Sequence, residues 1–374
     1  MLNNADMDFP AITDENGKKV QLTHGRFVPL MQSRDRRVRK EAFEGFYNTY
    51  GKVKHTTTAL LSAQVNANIF SAQTRKYDTA REAALARNNI PVSVYDSLID
   101  AVNSKLPAMH RYVTLRKQML GLPDLHMYDV YVPMVDAVEN KYTFEDSKEI
   151  VKEALKPLGK EYVEKLSRGL DSGWCDVYEN KGKRSGAYSC GVFGVHPFVL
   201  LNHQDTLDSL FTLAHEMGHA MHSFYTDATQ PFIYSDYSIF VAEVASTVNE
   251  ALLMNYLLNK VTDRKQRMYL LNHYLEEFKG TVFRQTMFAE FEKTIHEKVE
   301  SGAALTVDYL SNTYKALNEK YFGPEMIVDD LISLEWSRIP HFYLNFYVFQ
   351  YATGYSSAIA LAMGILEEGE KAVT

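Results

Sequence analysis

The stretch that most restricts how this chain can fold is residues 206–225, TLDSLFTLAHEMGHAMHSFY. Leu207, Leu210, Phe211, Ala214 and Met221 recur at the three-and-four spacing of an apolar helical stripe, which predicts a buried helix. On such a helix His215 and His219 stand one turn apart and aim two imidazoles at a common point. Glu216 lies one residue round, within reach of a water on any metal the two rings hold. A helix that buries three polar side chains needs something for them to bind.

Two imidazoles at i and i+4 with a glutamate between them are the donor geometry of a zinc hydrolase, with Glu216 as general base. In a chain with 12 His, chance alone yields this tetrad in roughly a few per cent of cases, so a third ligand is required. Residues 238–253, SIFVAEVASTVNEALL, form a second apolar helical pattern carrying Glu243 and Glu250. Glu243 sits among Phe240, Val241, Val244 and Ala245, where a carboxylate is costly unless paired or metal-bound. The turn-rich residues 227–231 let the two helices pack antiparallel, which returns Glu243 to the histidines. Two His, one Glu and a water complete a catalytic tetrahedral zinc site. Glu250, seven residues on and nearly on the same face, reads either as a carboxylate that fixes a ligand histidine or as a surface salt bridge.

With these residues in place, the chain resembles the thimet-oligopeptidase-like zinc metallopeptidases, and within them the oligoendopeptidase F group. The likeness is carried by HEMGH at 215–219, FVAEVAST at 240–247 and RIPHFYLNFYVFQYATGY at 338–355. WCDVYENKGKRSGAY at 174–188 and RQTMFAEFE at 284–292 add to it, so that it spans most of the chain. It implies a mainly α, zincin-type fold with a small β-sheet beside the zinc helix and a deep substrate channel. It implies one Zn2+ per chain and short unstructured peptides as substrates. It also implies that a His before the last helix and two Tyr around the Gly354–Tyr355 step donate hydrogen bonds to the scissile carbonyl and its oxyanion. Those map to His341, Tyr355 and Tyr347, with Tyr351 as the alternative to Tyr347. Relatives of this kind usually continue past Thr374 and carry a larger helical lobe ahead of this chain's start, so the sequence reads as a fragment or a shortened version.

Composition narrows the remaining choices. At 374 residues and 46% apolar, the chain can build a large core. A net charge of −7 argues against nucleic acid as partner. Cys175 and Cys190 are too few for a disulfide framework and suggest a reduced compartment. The start, MLNNADMDF, has no basic region followed by an apolar core, and no run approaches the roughly 18 apolar residues that span a bilayer. A cytoplasmic location without membrane contact follows as the expectation. Oligomeric state is left open.

The rest of the pattern is helical, without repeats or an obvious linker, and reads as one peptidase domain over residues 1–374. A turn at 14–18 and a short strand within 20–28 come first. A helix then starts near Ser33, with Ser33 or Asp35 as cap, and its basic run 34–40 reads as a solvated face. Helices follow at 56–73, 79–87 and 93–121, the last capped by Ser93 and punctuated by Pro107. Residues 127–134 read as extended, and 143–146 cap a helix running to about Leu170. Residues 185–193 and 197–203 are the strand candidates. Gly186, Ala187 and Tyr188 read either as a substrate-binding edge or as a structural hairpin. Long helices are expected over 263–300 and 306–318, and a final helix includes Tyr347, Tyr351 and Tyr355 at i, i+4 and i+8. His222, rotated away from the 215/219 direction, reads as a residue behind the ligands or at the surface, and His196 and His203 beside the second strand read as structural.

The activity expected is therefore hydrolysis of internal peptide bonds. The alternatives are a dipeptidyl carboxypeptidase-like exopeptidase and a weakly active peptide-binding fragment.

Overall fold

The computed structural model describes residues 7–136 and 141–373; the amino-terminal stretch read above for a leader falls, in residues 1–6, outside them. The chain gathers into two compact units, Met1–Met134 with Phe283–Phe349, and Val135–Val282 with Gln350–Thr374. Both are mainly helical, with short strands.

In the first unit the turn at 14–18 closes an antiparallel hairpin of Ala11–Thr13 and Lys19–Gln21. The strand expected within 20–28 stops at Gln21, because Thr23 caps a helix over His24–Met31 by accepting the Arg26 N–H at 3.2 Å. Asp35 caps the next helix, Arg36–Lys52. Its basic run is not simply a solvated face. Arg36 and Arg39 reach the fully buried Asp129 at 2.8 and 2.6 Å, and Arg39 is itself buried. Asp129 lies ninety-odd residues away in sequence, so local charge patterning could not reveal it. The same carboxylate accepts the His126 N–H at 3.1 Å and winds Met127–Asp129 into a 3-10 turn where extended chain was expected.

Helices follow at Lys54–Thr74 and Ala80–Ala86. The helix expected over 93–121 is two, Val92–Ser104 and Leu106–Leu120, separated at Lys105 ahead of Pro107 and started from Pro91 rather than Ser93. A proline has no N–H to give and is best accommodated in a first turn. Further on, Arg284–Glu300 and Val307–Phe322 pack in this unit, followed by 3-10 segments Asp330–Arg338 and Pro340–Tyr343. Glu335 ties these together: its buried carboxylate accepts from Tyr47, Tyr314, Arg284 and Arg338.

In the second unit the helix expected from 143 to about 170 is Phe144–Ala154 and Lys160–Asp171, interrupted by a 3-10 turn at Lys156–Leu158. A three-stranded sheet follows. Phe198–Leu200 lies in the middle, parallel to Cys175–Asp176 and antiparallel to Tyr188–Cys190, which forms an edge. Helices Leu207–Thr229 and Ile239–Lys260 come next and share one core with residues of the flanking elements, including Leu213, Ala214, Met217, Leu252 and Leu253. The expected helix over 263–300 runs as Arg264–Glu277, widens to π hydrogen bonding over Phe278–Phe283, and resumes at Arg284. The last long helix is Phe349–Glu368. It begins after Tyr347, so Tyr347 does not share a helical stripe with Tyr351 and Tyr355.

Glu292, in the first unit, titrates well above the ordinary carboxyl range. Glu292 is fully buried and accepts the Phe346 N–H at 2.6 Å; burial pushes its carboxyl up to about 8, against that hydrogen bond. Between about 4.5 and about 8 the folded chain holds a proton that the unfolded chain has lost, so stability present below this window drains away as pH rises through it. Glu292→Gln, which is neutral throughout, should flatten that decline: urea unfolding should show the variant gaining on the parent between pH 5 and pH 8. A constant difference across the window would refute the assignment.

Candidate metal centre

The motif helix, Leu207–Thr229, is fixed at its start by Thr206, whose hydroxyl accepts the Ser209 N–H at 3.1 Å. It is crossed by the carboxylate helix, Ile239–Lys260, at Gly218: a Cβ there would stand 2.6 Å from the Ser246 Cα. No side chain fits between the two backbones, and that closeness carries Glu243 over the histidines. A second tie lies one turn away. Asn249 donates to the Ala214 carbonyl at 3.0 Å and accepts from the Tyr162 hydroxyl at 3.1 Å.

The donor atoms converge. His215 Nε2 and His219 Nε2 are 3.1 Å apart, and Glu243 Oε2 is 3.5 Å from each. His215, His219 and Glu243 are the group among the described residues whose ligand atoms could hold one metal ion. Donors about 2.1 Å from a tetrahedral ion stand roughly 3.4 Å from one another, so the spacing fits. The tautomer fits as well. Glu250 Oε1 is 3.2 Å from His215 Nδ1, which places a proton there and leaves the Nε2 lone pair facing His219 and Glu243. Burial opposes a charge on His215, yet Glu250, with Glu216 and Glu243, lifts the ring to about 9. Glu243 is held below its usual range by His219, against burial. Three acids around two rings make a strongly negative site, which a cation relieves.

Glu216 is buried, and desolvation raises its carboxyl, opposed by the two histidines. The Ser189 backbone amide faces it and also works against that rise. Ser189 is the middle residue of the edge strand Tyr188–Cys190, so the strand lies against Glu216. Gly186 and Ala187 precede that strand, with Gly186 at φ 86° held by the Asn202 side chain, which donates to its carbonyl at 2.7 Å. Beside them opens a cleft of about 280 Å³ lined by polar residues including Asn202, Gln204 and Ser209.

Gly354 passes the Glu243 side chain, an added Cβ there standing 3.6 Å from Glu243 Cβ. Tyr355, next in line, borders a small cavity of about 20 Å³ together with Glu250, His273, Tyr274 and Glu277. Burial keeps the Tyr355 hydroxyl protonated and able to donate, with Tyr274, Glu277 and Glu250 adding to the shift. Burial, helped by Glu250 and Asp208, pushes Glu277 up to about 7. Glu277, Asn249 and Ser246, which donates to Glu243 Oε2 at 3.1 Å, went unnoticed in the sequence. The signal for the last two was present: both are polar positions on the inner face of an apolar helix.

His341 and Tyr347 belong to the first unit, their rings parallel within 10° at 6.0 Å. Tyr351 lies in the last long helix of the second unit. His222, His196 and His203 each have a partner nearby. His222 stacks on Tyr237 at 3.8 Å, His196 on Trp174 at 5.7 Å, and His203 reaches the Tyr142 carbonyl at 2.9 Å.

Comparison with known proteins decides the family. The model for peptidase family M3 matches residues 29–373. The chain belongs to peptidase family M3. Within that family it is 55% identical over its whole length to oligopeptidase PepF of Bacillus subtilis, of which it covers 56%. It is 50% identical over 98% of its length to group B oligopeptidase PepB of Streptococcus agalactiae, covering 61% of that protein. The crystal structure of oligoendopeptidase-F from Enterococcus faecium superimposes with a TM-score of 0.81 at 44% identity, covering 99% of this chain and 60% of that one. This M3 chain thus spans about 56–61% of the length of these relatives. The mainly helical fold with its small sheet is that of the family.

The contact between Glu250 and His215 has a measurable consequence. Removing a hydrogen-bond partner that orients a ligand histidine typically lowers metal affinity by about 10–100-fold. Glu250→Ala should weaken zinc binding by about that factor in competition with a chromophoric chelator. Unchanged affinity would mean that Glu250 is a bystander.

Proposed function

We propose that this chain is the catalytic part of a zinc-dependent oligoendopeptidase that hydrolyses internal bonds of short unstructured peptides. The observation that carries the reading is the convergence of His215 Nε2, His219 Nε2 and Glu243 Oε2 beside a buried glutamate. The naming of the relatives as oligopeptidases and an oligoendopeptidase supports it.

In this reading His215, His219 and Glu243 hold one Zn2+, imidazole-plus-carboxylate ligation favouring zinc. When bound, the ion supplies a Lewis acid for the scissile carbonyl and for the attacking water. Glu216 takes the proton of that water on its carboxylate and hands it to the nitrogen of the leaving amine. Glu250 holds the His215 ring through Nδ1. Tyr355 donates a hydrogen bond from its hydroxyl to the developing oxyanion, a contribution typically of a few kcal/mol per donor. His341 and Tyr347 serve as further donors by family resemblance, with Tyr351 as the alternative to Tyr347. Gly186, Ala187 and Tyr188 bind substrate backbone at the free edge of the sheet, next to the Ser189 amide that meets Glu216.

Among the described residues no helix is long and apolar enough to cross a membrane, and we place the protein in the cytoplasm, acting on free peptides and not on nucleic acid. The coverage of 56–61% of the relatives' length favours a second reading, a weakly active peptide-binding fragment.

An internally quenched peptide blocked at both ends separates these readings. Cleavage that a chelator stops, that zinc restores, and that falls by about 10²–10⁴-fold in Glu216→Gln is the expected result. Cleavage only after unblocking the carboxyl end would indicate an exopeptidase. Binding by the zinc-loaded chain without turnover would leave the fragment reading.

A further inference from the structure

We infer that Glu292 is a positioning residue: its buried carboxyl clamps the left-handed Asn345–Phe346 turn and thereby sets Tyr347 against His341. The catalytic weight of this clamp rests on the reading of Tyr347 and His341 as carbonyl donors; the clamp itself does not.

Asn345 and Phe346 are consecutive non-glycine residues at φ 48° and 59°. The left-handed region costs an L-residue roughly 1–2 kcal/mol. Asparagine tolerates it, but phenylalanine has no side-chain polar group to compensate. Something must hold Phe346 there, and the contacts form a closed ring. The Phe346 N–H donates to Glu292 Oε1 at 2.6 Å. The Glu292 backbone carbonyl accepts from His296 Nδ1 at 2.8 Å, and the His296 ring packs on the Phe346 ring at 4.5 Å. Asn68 reaches His296 Nε2 at 3.2 Å and closes the other side of the imidazole. Tyr95 packs on Phe346 at 5.6 Å and on Phe349 at 5.0 Å.

The arrangement is expensive for a mere turn. Glu292 is fully buried, and its Oε2 has no hydrogen-bond partner among the described residues. An unpartnered buried oxygen costs free energy that an apolar side chain would not. A glycine turn beside an apolar residue would reverse the chain more cheaply. Strain of this kind persists where surrounding structure over-determines it, typically beside residues whose placement matters. Here the residue that leaves the turn is Tyr347, whose ring lies parallel to that of His341 at 6.0 Å. The turn also decides where the last long helix starts, at Phe349.

The clamp is readable without any substitution. In the zinc-loaded chain, hydrogen exchange resolved to single residues should show the Phe346 amide among the slowly exchanging amides although it lies outside regular structure. Exchange at the rate of an open loop overturns the clamp. Glu292→Met, which keeps volume and removes the acceptor, should speed exchange across residues 344–348 by at least about tenfold and leave distant helices at parent rates. It should lower kcat by about tenfold with KM within about twofold. Glu292→Gln, which retains an acceptor, should keep both near the parent values. Parent-like local exchange in Glu292→Met overturns the inference whatever the activity. A parent-like kcat in that variant, when Tyr347→Phe lowers kcat, overturns the positioning role. A parent-like kcat in Tyr347→Phe instead overturns the donor reading of Tyr347, and the clamp then stands on the exchange data.

Discussion

Everything at the centre depends on how closely two helices cross. At Gly218 the motif helix meets the backbone of Ser246 with no room for a methyl group. Interhelical distances of 8–10 Å are set by the side chains at the contact, and glycine at the crossing puts this pair at the near end. Glu243 can then reach over His215 and His219 from the neighbouring helix. The side chains involved are short and have little slack.

Around that crossing, polar groups occur in pairs that constrain each other. Asn249 joins the helices through the Ala214 carbonyl, Ser246 holds Glu243 from below, and Glu250 fixes the far nitrogen of His215. Each replaces a hydrogen bond to water with one inside the protein, and so brings little net stability. What they bring is direction. The ring of His215 is held at Nδ1, and its remaining lone pair has only one place to point. The surplus of negative charge, with Glu216 and Glu277 both held above the ordinary carboxyl range, is the electrostatic counterpart of a cation site.

The first unit solves a different problem by similar means. Two buried carboxylates, Asp129 and Glu335, each collect several guanidinium or hydroxyl donors from distant parts of the chain. Burying such groups stabilises little in itself, but an acid that loses its partners in any other arrangement makes the observed one unique. Glu335 anchors the 3-10 segment that leads into His341, and Glu292 anchors the turn that leads out to Tyr347. The irregular chain between residues 330 and 348 is thus held from both ends by buried acids.

The sequence by itself determined the motif helix, its two histidines and Glu216 between them, and the partner helix with Glu243 and Glu250. These are local facts, because helical pitch turns spacing into direction. It also showed the strands next to the motif and most helix existence, since apolar periodicity and caps such as Asp35 and Thr143 act within a turn. It misread the basic run at 34–40, the extended reading of 127–134 and the helical reading of Tyr347, and it missed Glu277. The extended reading failed on a local contact, the His126 N–H to Asp129; in the other cases the deciding partner lies far along the chain: Asp129 for the arginines, Glu292 for the turn before Tyr347, Glu250 and Asp208 for Glu277. Only the tertiary structure decided these, because a buried charge is governed by whichever groups the fold brings within a few ångströms, and no spacing rule encodes that.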